Sequence, residues 1–187
     1  MVSEILVKIE SAIDALAVLI RQGYTLSSAL SGGKDSTCTA ILMLEAVRRA
    51  GAEVARKHFV TSADTTIENP SMHWHLQVML DEIRDAYADA GGPVEVHVAK
   101  PSLASQFVVA TIGRGTLPRT PENGVKNGKR IRACAADWKV DPQNRLRGGS
   151  SARWPRAAVG RWSLSSATES AKAVVAQRPW RPETRMR

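Results

Sequence analysis

A glycine-rich turn at residues 31–37, with the sequence SGGKDST, limits the possible folds more than any other stretch of this chain. It follows an apolar run ending at Leu30 and precedes an apolar helical pattern from Cys38, which predicts a buried strand turning into a helix. Consecutive glycines, Gly32 and Gly33, let the backbone approach a ligand closely. The N–H groups at the start of the helix then favour an anion. The turn therefore predicts a phosphate-binding loop.

The side chains of this turn add further groups that suit an anionic ligand. Lys34 is a mobile cation, and Ser31, Ser36 and Thr37 carry hydroxyl donors. The pattern differs from the P-loop of kinases and GTPases, because Asp35 stands where that loop has serine or threonine after its lysine. The alternative interpretation is a glycine turn before an ordinary helix.

Helical and strand patterns alternate along the first hundred residues, which is typical of an α/β fold. Helices are predicted at residues 2–22, from 34 or 35 to 50, and from 71 to about 90, and Gly23 and Gly51 are expected to end the first two. Strands are predicted at 24–30, 58–61 and 94–98. In the third helix, the residues expected to face inward are Trp74, Val78, Ile83 and Tyr87. We predict a Rossmann-like parallel sheet over residues 1–147, with His73 and His75 as ordinary surface or packing histidines. His97 alternates with the apolar positions of the third strand and could face the ligand, but the favoured interpretation is a satisfied histidine.

The segment 62–70 follows the second strand and is expected at the same sheet edge as the glycine turn. There Asp64, with Glu68 behind it, could orient a ribose hydroxyl or hold a metal ion. Alternatively, Asp64 or Thr65 only caps the next helix. The Asn69-Pro70 pair favours a capping role for Asn69.

The second half of the chain predicts a short helix at residues 102–110 and a long loop at 111–129. Loops of this length inside compact domains are usually functional or disordered. The loop arginines could clamp phosphate or sulfate, or contact a nucleic-acid backbone.

Cys134 lies between basic residues, which favour its thiolate form. It is a candidate nucleophile or metal-cluster ligand, and the alternative is an inert cysteine beside a solvated basic face. The other cysteine, Cys38, is expected to be a small buried hydrophobe. Two cysteines are too few for a secreted disulfide framework.

The composition predicts one domain of 187 residues with an unusual C-terminal segment. The net charge is +8, of which +6 belongs to residues 148–187. No apolar run reaches the roughly 18 residues of a membrane span, and the N-terminus lacks signal-peptide features. A cytoplasmic location without a membrane partner is therefore expected.

Three blocks together resemble the phosphoadenosine phosphosulfate reductase family of the PP-loop ATP pyrophosphatase superfamily. They are SGGKDST at 31–37, DTTIENP at 64–70, and Cys134 followed by WKV at 138–140 and Pro142. The resemblance spans about residues 24–147 and is closest to the sulfur-transfer ATPase branch of DNA phosphorothioation. It implies an adenine nucleotide alpha-hydrolase type of fold. It also implies binding of ATP with Mg²⁺ and release of pyrophosphate, or binding of an adenylyl-sulfate nucleotide.

The resemblance also implies roles for individual residues. Lys34, Asp35, Cys134 and Lys139 would be catalytic, with Cys134 as sulfur carrier or iron–sulfur ligand and Lys139 in contact with the substrate anion. DNA and a cysteine desulfurase-like sulfur donor are the implied partners. The nucleotide would contact the glycine turn and the residue beside it, namely Ser31, Gly32, Gly33, Lys34, Asp35, Ser36, Thr37 and Asp64.

The chain departs from this pattern in its C-terminal part. The phosphorothioation branch needs further cysteines after the first to hold a four-iron cluster, and none follows Cys134. From Gly148 the sequence is rich in Arg, Ser, Trp and Ala, and only residues 165–177 have a helical pattern. This indicates a truncated or frameshifted end, or else a genuine basic tail that binds nucleic acid. A nucleotide-binding remnant without catalysis is the alternative function.

Overall fold

A computed structural model of the chain describes residues 2–51, 57–87, 93–126, 128–149 and 174–177. The first six elements alternate between helix and strand. They are α1 (Val2–Arg21), β1 (Thr25–Ala29), α2 (Lys34–Ala50), β2 (His58–Ala63), α3 (Pro70–Tyr87) and β3 (Val94–Ala99). Their order confirms the α/β class predicted from the sequence. Among the helices in these ranges, none has the length and apolar character that a membrane crossing requires.

Three strands form a parallel sheet in the spatial order β3, β2, β1. Ala29 of β1 lies opposite Thr61 of β2, and Thr61 lies opposite His97 of β3. Parallel neighbours require crossover connections, and α2 and α3 provide them. The carboxyl ends of the three strands therefore lie at one edge of the sheet, which is the arrangement predicted from the sequence.

One face of the sheet is covered by the first three helices. Leu26, Val60 and Val94 project from the three strands into a core that they share with buried residues of α1, α2 and α3. Strand side chains alternate between faces, so Thr61 points to the opposite side from Val60. On that side the Thr61 hydroxyl bonds to Gln143 of a C-terminal helix, at 3.4 Å.

The contact between α1 and α2 includes an ion-pair network on Arg49. Its guanidinium contacts Glu10 of α1 at 2.6 Å and Glu45 of α2 at 2.8 Å. Gly51 ends α2 with φ of +86°, which a glycine adopts without strain, and this confirms its predicted role at the helix end.

The inward face predicted for α3 is partly wrong. Trp74 is 73% exposed and Val78 is also exposed, whereas Leu76 and Leu80 are buried. The buried stripe continues through Ile83 and Tyr87, which pack against the core. Residues 76, 80, 83 and 87 follow helical spacing, whereas the predicted step from 78 to 83 spans five residues and does not.

The region after β3 is helical in short pieces and then forms a hairpin. A 3₁₀ turn at Leu103–Ser105 and a π-helical stretch at Val108–Gly113 replace the single helix predicted at 102–110. The predicted loop at 111–129 ends in the antiparallel strands β4 (Val125–Lys126) and β5 (Lys129–Arg130). Helical structure then runs through α4 (Ala133–Ala135), a π-helical stretch (Ala136–Val140) and α5 (Asp141–Gly149).

Residues 174–177 form a strand instead of the end of the predicted helix at 165–177. This strand, β6 (Val174–Gln177), pairs antiparallel with β1, where Ser27 lies opposite Val175. Residues 165–173 lie outside the described part of the chain, as does most of the predicted basic tail at 148–187. The sheet thus has four described strands in the order β3, β2, β1, β6.

Candidate phosphate loop and its surroundings

The glycine turn connects β1 to α2 as predicted, and its backbone depends on glycine. Gly32 has φ of +75°, in the left-handed region, and Gly33 is extended with φ of −82° and ψ of 153°. Two serines fix the turn: the Ser36 hydroxyl lies 2.9 Å from the Ser31 hydroxyl and donates to the Gly33 carbonyl at 2.9 Å. The backbone N–H of Ser31 also donates to the Ser36 hydroxyl, at 3.2 Å.

The start of α2 is open to a ligand, whereas the start of α3 is capped by its own sequence. Gly33 precedes α2 and supplies no side-chain cap. The first N–H with a helical acceptor is that of Thr37, which donates to the Gly33 carbonyl at 3.0 Å. In α3, the Asn69 side chain accepts a hydrogen bond from the Ser71 N–H at 2.9 Å, which confirms its predicted capping role.

Lys34 and Asp35 both lie in the first turn of α2, and both are exposed. Ser36 and Thr37 are half-buried, and the exposed Ser31 joins them through the hydroxyl contact with Ser36. The structure therefore places all seven residues of the predicted loop around the start of one helix. One cation, Lys34, and the N–H donors at the start of the helix together outnumber the single carboxylate of Asp35, so the local chemistry suits an anion.

Asp64 lies at the carboxyl end of β2 and has two partners. One carboxylate oxygen accepts a hydrogen bond from the Thr66 N–H at 2.9 Å, and the other lies 3.1 Å from the Lys100 ammonium. Burial raises the pKa of Asp64, but the Thr66 hydrogen bond and the Lys100 charge outweigh burial and hold that pKa below its usual value. Asp64 therefore stays ionised at neutral pH. It shapes the β2–α3 loop, and it does not cap α3.

The turn at Thr66 is strained. Thr66 has φ of +66°, a left-handed conformation that is unfavourable for a β-branched residue. Its backbone N–H bonds to Asp64, and its hydroxyl donates to the Thr65 carbonyl at 2.6 Å. Local strain of this kind often occurs at functional sites.

Helix α3 packs directly against the glycine turn. A Cβ atom added to Gly32 would lie 3.6 Å from the His75 ring and 3.8 Å from Leu76 and Met72. The loop that precedes α3 carries Asp64 and Glu68, and it follows β2, the parallel neighbour of β1, so the two predicted segments start from adjacent strands at the same sheet edge. The sequence did not identify His75 as a neighbour of the loop, because only the packing of α3 brings it there.

Lys139 reaches the β2–α3 loop from the C-terminal half of the chain. Its ammonium lies 2.9 Å from the Glu68 carboxylate, and both side chains are partly exposed. Trp138 next to it is buried, and its indole N–H donates to the Ser105 carbonyl at 2.9 Å. Lys139, which the resemblance assigns to the substrate anion, thus lies beside the loop that follows β2. Its partner there is the Glu68 carboxylate, which the sequence did not reveal.

Cys134 is exposed and lies in α4, at the start of the helical segment that carries Lys139. Cys38 is also exposed, which contradicts its predicted burial: it faces outward on α2, while Thr39 and Ala40 face the core. Two loop arginines contact protein groups, since Arg114 donates to the Ala104 carbonyl and Arg119 pairs with Asp137.

His97, on β3, is a satisfied histidine as predicted, with its ring 3.1 Å from the Glu95 carboxylate. Among the described residues, no group of three or more His, Cys, Asp and Glu side chains is arranged to hold a metal ion.

The fold and the site together define an α/β protein with a glycine-rich loop at the carboxyl edge of a parallel sheet. Comparisons of the chain with protein-family models, with curated proteins and with solved structures find no match.

Proposed function

We propose that residues 31–37 bind the phosphate groups of an adenine nucleotide. The observation that carries this proposal is the start of α2, where Gly32 is left-handed and Gly33 leaves the first N–H groups of the helix without a side-chain cap. The loop lies at the carboxyl edge of the parallel sheet, where ligands of such folds bind. The proposed fold type is that of the adenine nucleotide alpha-hydrolases.

The proposed activity is that of a sulfur-metabolism enzyme related to the phosphoadenosine phosphosulfate reductases. The three sequence blocks support it: α3, which follows the second block directly, packs against Gly32 of the first, and Lys139 of the third contacts Glu68 of the second. With ATP, an oxygen of the acceptor backbone would attack the α-phosphate and become adenylated, pyrophosphate would leave, and Lys34 would stabilise the charge on that leaving group. With an adenylyl-sulfate nucleotide, a thiolate such as that of Cys134 would attack sulfur and form an S–S bond, while the S–O bond to the nucleotide phosphate breaks and the nucleotide leaves with the electron pair.

Mg²⁺ prefers carboxylate and phosphate oxygens, and Asp35 offers an exposed carboxylate in the first turn of α2. Asp35 would hold the ion, which would neutralise charge on the phosphates, whereas both oxygens of Asp64 contact Thr66 and Lys100. A four-iron cluster does not fit, because the sequence contains two cysteines and they lie on separate elements, α2 and α4. DNA and a cysteine desulfurase-like sulfur donor would be the partners of a sulfur-transfer reaction.

Nucleotide binding without turnover is the second candidate function. It is favoured by the missing cluster cysteines, because the two cysteines of the sequence cannot supply the four ligands of a cluster. The two candidates share the phosphate loop and differ in catalysis.

Calorimetric titration with ATP and an assay for pyrophosphate release test both candidates. Asp35→Ala and Ser36→Ala should each weaken ATP binding or turnover by about tenfold, the loss expected when a charged or buried polar contact is removed. Asp85→Ala and Ser11→Ala make the same chemical changes at exposed positions in α3 and α1, and both should behave as wild type. Binding with pyrophosphate release supports the enzyme, and binding alone supports the second candidate. If wild type binds no nucleotide, both are wrong.

A further inference from the structure

The ion pair between Glu68 and Lys139 connects two parts of the candidate site that are far apart in sequence. Glu68 lies in the loop before α3, and α3 packs against Gly32 of the phosphate loop. Lys139 lies in the π-helical stretch that follows Cys134. The 2.9 Å contact between the Lys139 ammonium and the Glu68 carboxylate thus directs this lysine toward the sheet edge where the phosphate loop opens.

The backbone around Lys139 is anchored independently of this ion pair. Trp138 is buried, donates to the Ser105 carbonyl and packs edge-on against Phe107 with ring centroids 5.7 Å apart. Asp137 pairs with Arg119, and Gln143 accepts a hydrogen bond from Thr61. The backbone position is therefore set by its neighbours, and Glu68 sets only the direction of the Lys139 side chain.

We propose that Glu68 is a positioning residue, which holds the Lys139 ammonium ready for the phosphates of the bound nucleotide. This inference rests on the function proposed above. A lysine ammonium has three N–H donors, and a single contact with Glu68 leaves donors for a ligand oxygen. Because ordering a long side chain opposes binding, a lysine already held in place should strengthen binding by about threefold to tenfold.

The sign of the effect separates positioning from simple electrostatics. Removing a negative charge beside an anion site should strengthen anion binding if charge alone matters. If Glu68 acts through Lys139, Glu68→Gln should instead weaken binding, because the lysine side chain becomes disordered. The effect should then disappear when Lys139 has already been removed.

The test measures the affinity of the full chain for ATP with Mg²⁺ and for inorganic pyrophosphate. The variants are Glu68→Gln, Lys139→Met, their double variant and the conservative Glu68→Asp. The matched control is Asp81→Asn, which neutralises a carboxylate paired with Arg84 at 2.6 Å on the outer surface of α3. Thermal unfolding of each variant verifies that it folds.

Glu68→Gln should bind threefold to tenfold more weakly than wild type, Glu68→Asp should recover part of the loss, and the double variant should match Lys139→Met. Unchanged or tighter binding by Glu68→Gln would overturn the inference. So would additive losses in the double variant, because Glu68 would then act on the ligand or its metal directly. Absence of binding by the wild-type chain would overturn the proposed function itself, an outcome separate from an effect confined to Glu68.

Discussion

Replacing Gly32 with alanine tests the left-handed backbone of the phosphate loop. Comparison with other glycine variants then separates a loss of stability from a loss of ATP binding. An alanine at φ of +75° would be strained, and left-handed backbone costs an L-residue about 1–2 kcal/mol. The added Cβ would meet its nearest neighbours at 3.6–3.8 Å, which is ordinary contact, so no steric cost is added. We therefore expect the free energy of unfolding to fall by about 1–2 kcal/mol, or roughly 2–8 °C in melting temperature.

The glycines at the two ends of α2, Gly33 and Gly51, provide controls in urea unfolding and ATP titration. Gly51→Ala has the same kind of strain, with φ of +86° and no atom within 4 Å, but it lies at the far end of α2. It should lose similar stability and keep wild-type ATP affinity. Gly33→Ala has an unstrained φ of −82° and should keep its stability. Our reasoning would be refuted if Gly32→Ala were as stable as wild type, or if Gly51→Ala impaired ATP binding as much as Gly32→Ala does.

Three further predictions concern the scaffold. His58 is buried and its Nδ1 accepts the Leu26 N–H at 3.1 Å, so His58→Leu should reduce the free energy of unfolding by about 1–3 kcal/mol in urea titrations. Hydrogen bonds from Arg48 and the neighbouring arginine lower the pKa of Glu45 to about 2. The stability that these hydrogen bonds contribute is present above pH ~4.5 and is lost as the pH falls toward 2. In Glu45→Gln, the free energy of unfolding should therefore depend less on pH over that interval than in wild type. Deleting residues 174–187 removes the strand beside β1, so light scattering should detect aggregation and the melting temperature should fall; an unchanged melting temperature would contradict the pairing.

The first hundred residues could be predicted well because their signals are local. Apolar spacing identified α1, and the glycines at 23 and 51 marked the ends of two helices. The Asn69-Pro70 pair identified the start of α3, since capping depends on neighbours in sequence. Once the strands were assigned as parallel, topology alone placed the loops at residues 31–37 and 62–70 at one edge.

The inner face of α3 could not be predicted reliably from apolar residues alone. Apolar side chains occur at both Trp74 and Val78 and at Leu76 and Leu80, and only the second pair continues with helical spacing into Ile83 and Tyr87, which pack against the core. β6 was missed for a related reason, because its four residues form a strand by pairing with β1. In β6, pairing with a distant strand overrides a weak local preference.

The partners of the site residues depend on contacts that leave no pattern in the sequence. Lys139 and Glu68 are both ordinary charged surface residues when seen in sequence, and exposed ion pairs contribute at most about 1 kcal/mol to stability. Their contact is explained by the buried Trp138, which fixes the neighbouring backbone, and by the sheet edge that holds the loop before α3. The geometry of the pair nevertheless suits a binding site. The partly exposed ammonium has N–H donors beyond its contact with Glu68, so it can bind a phosphate oxygen while Glu68 still holds it in place.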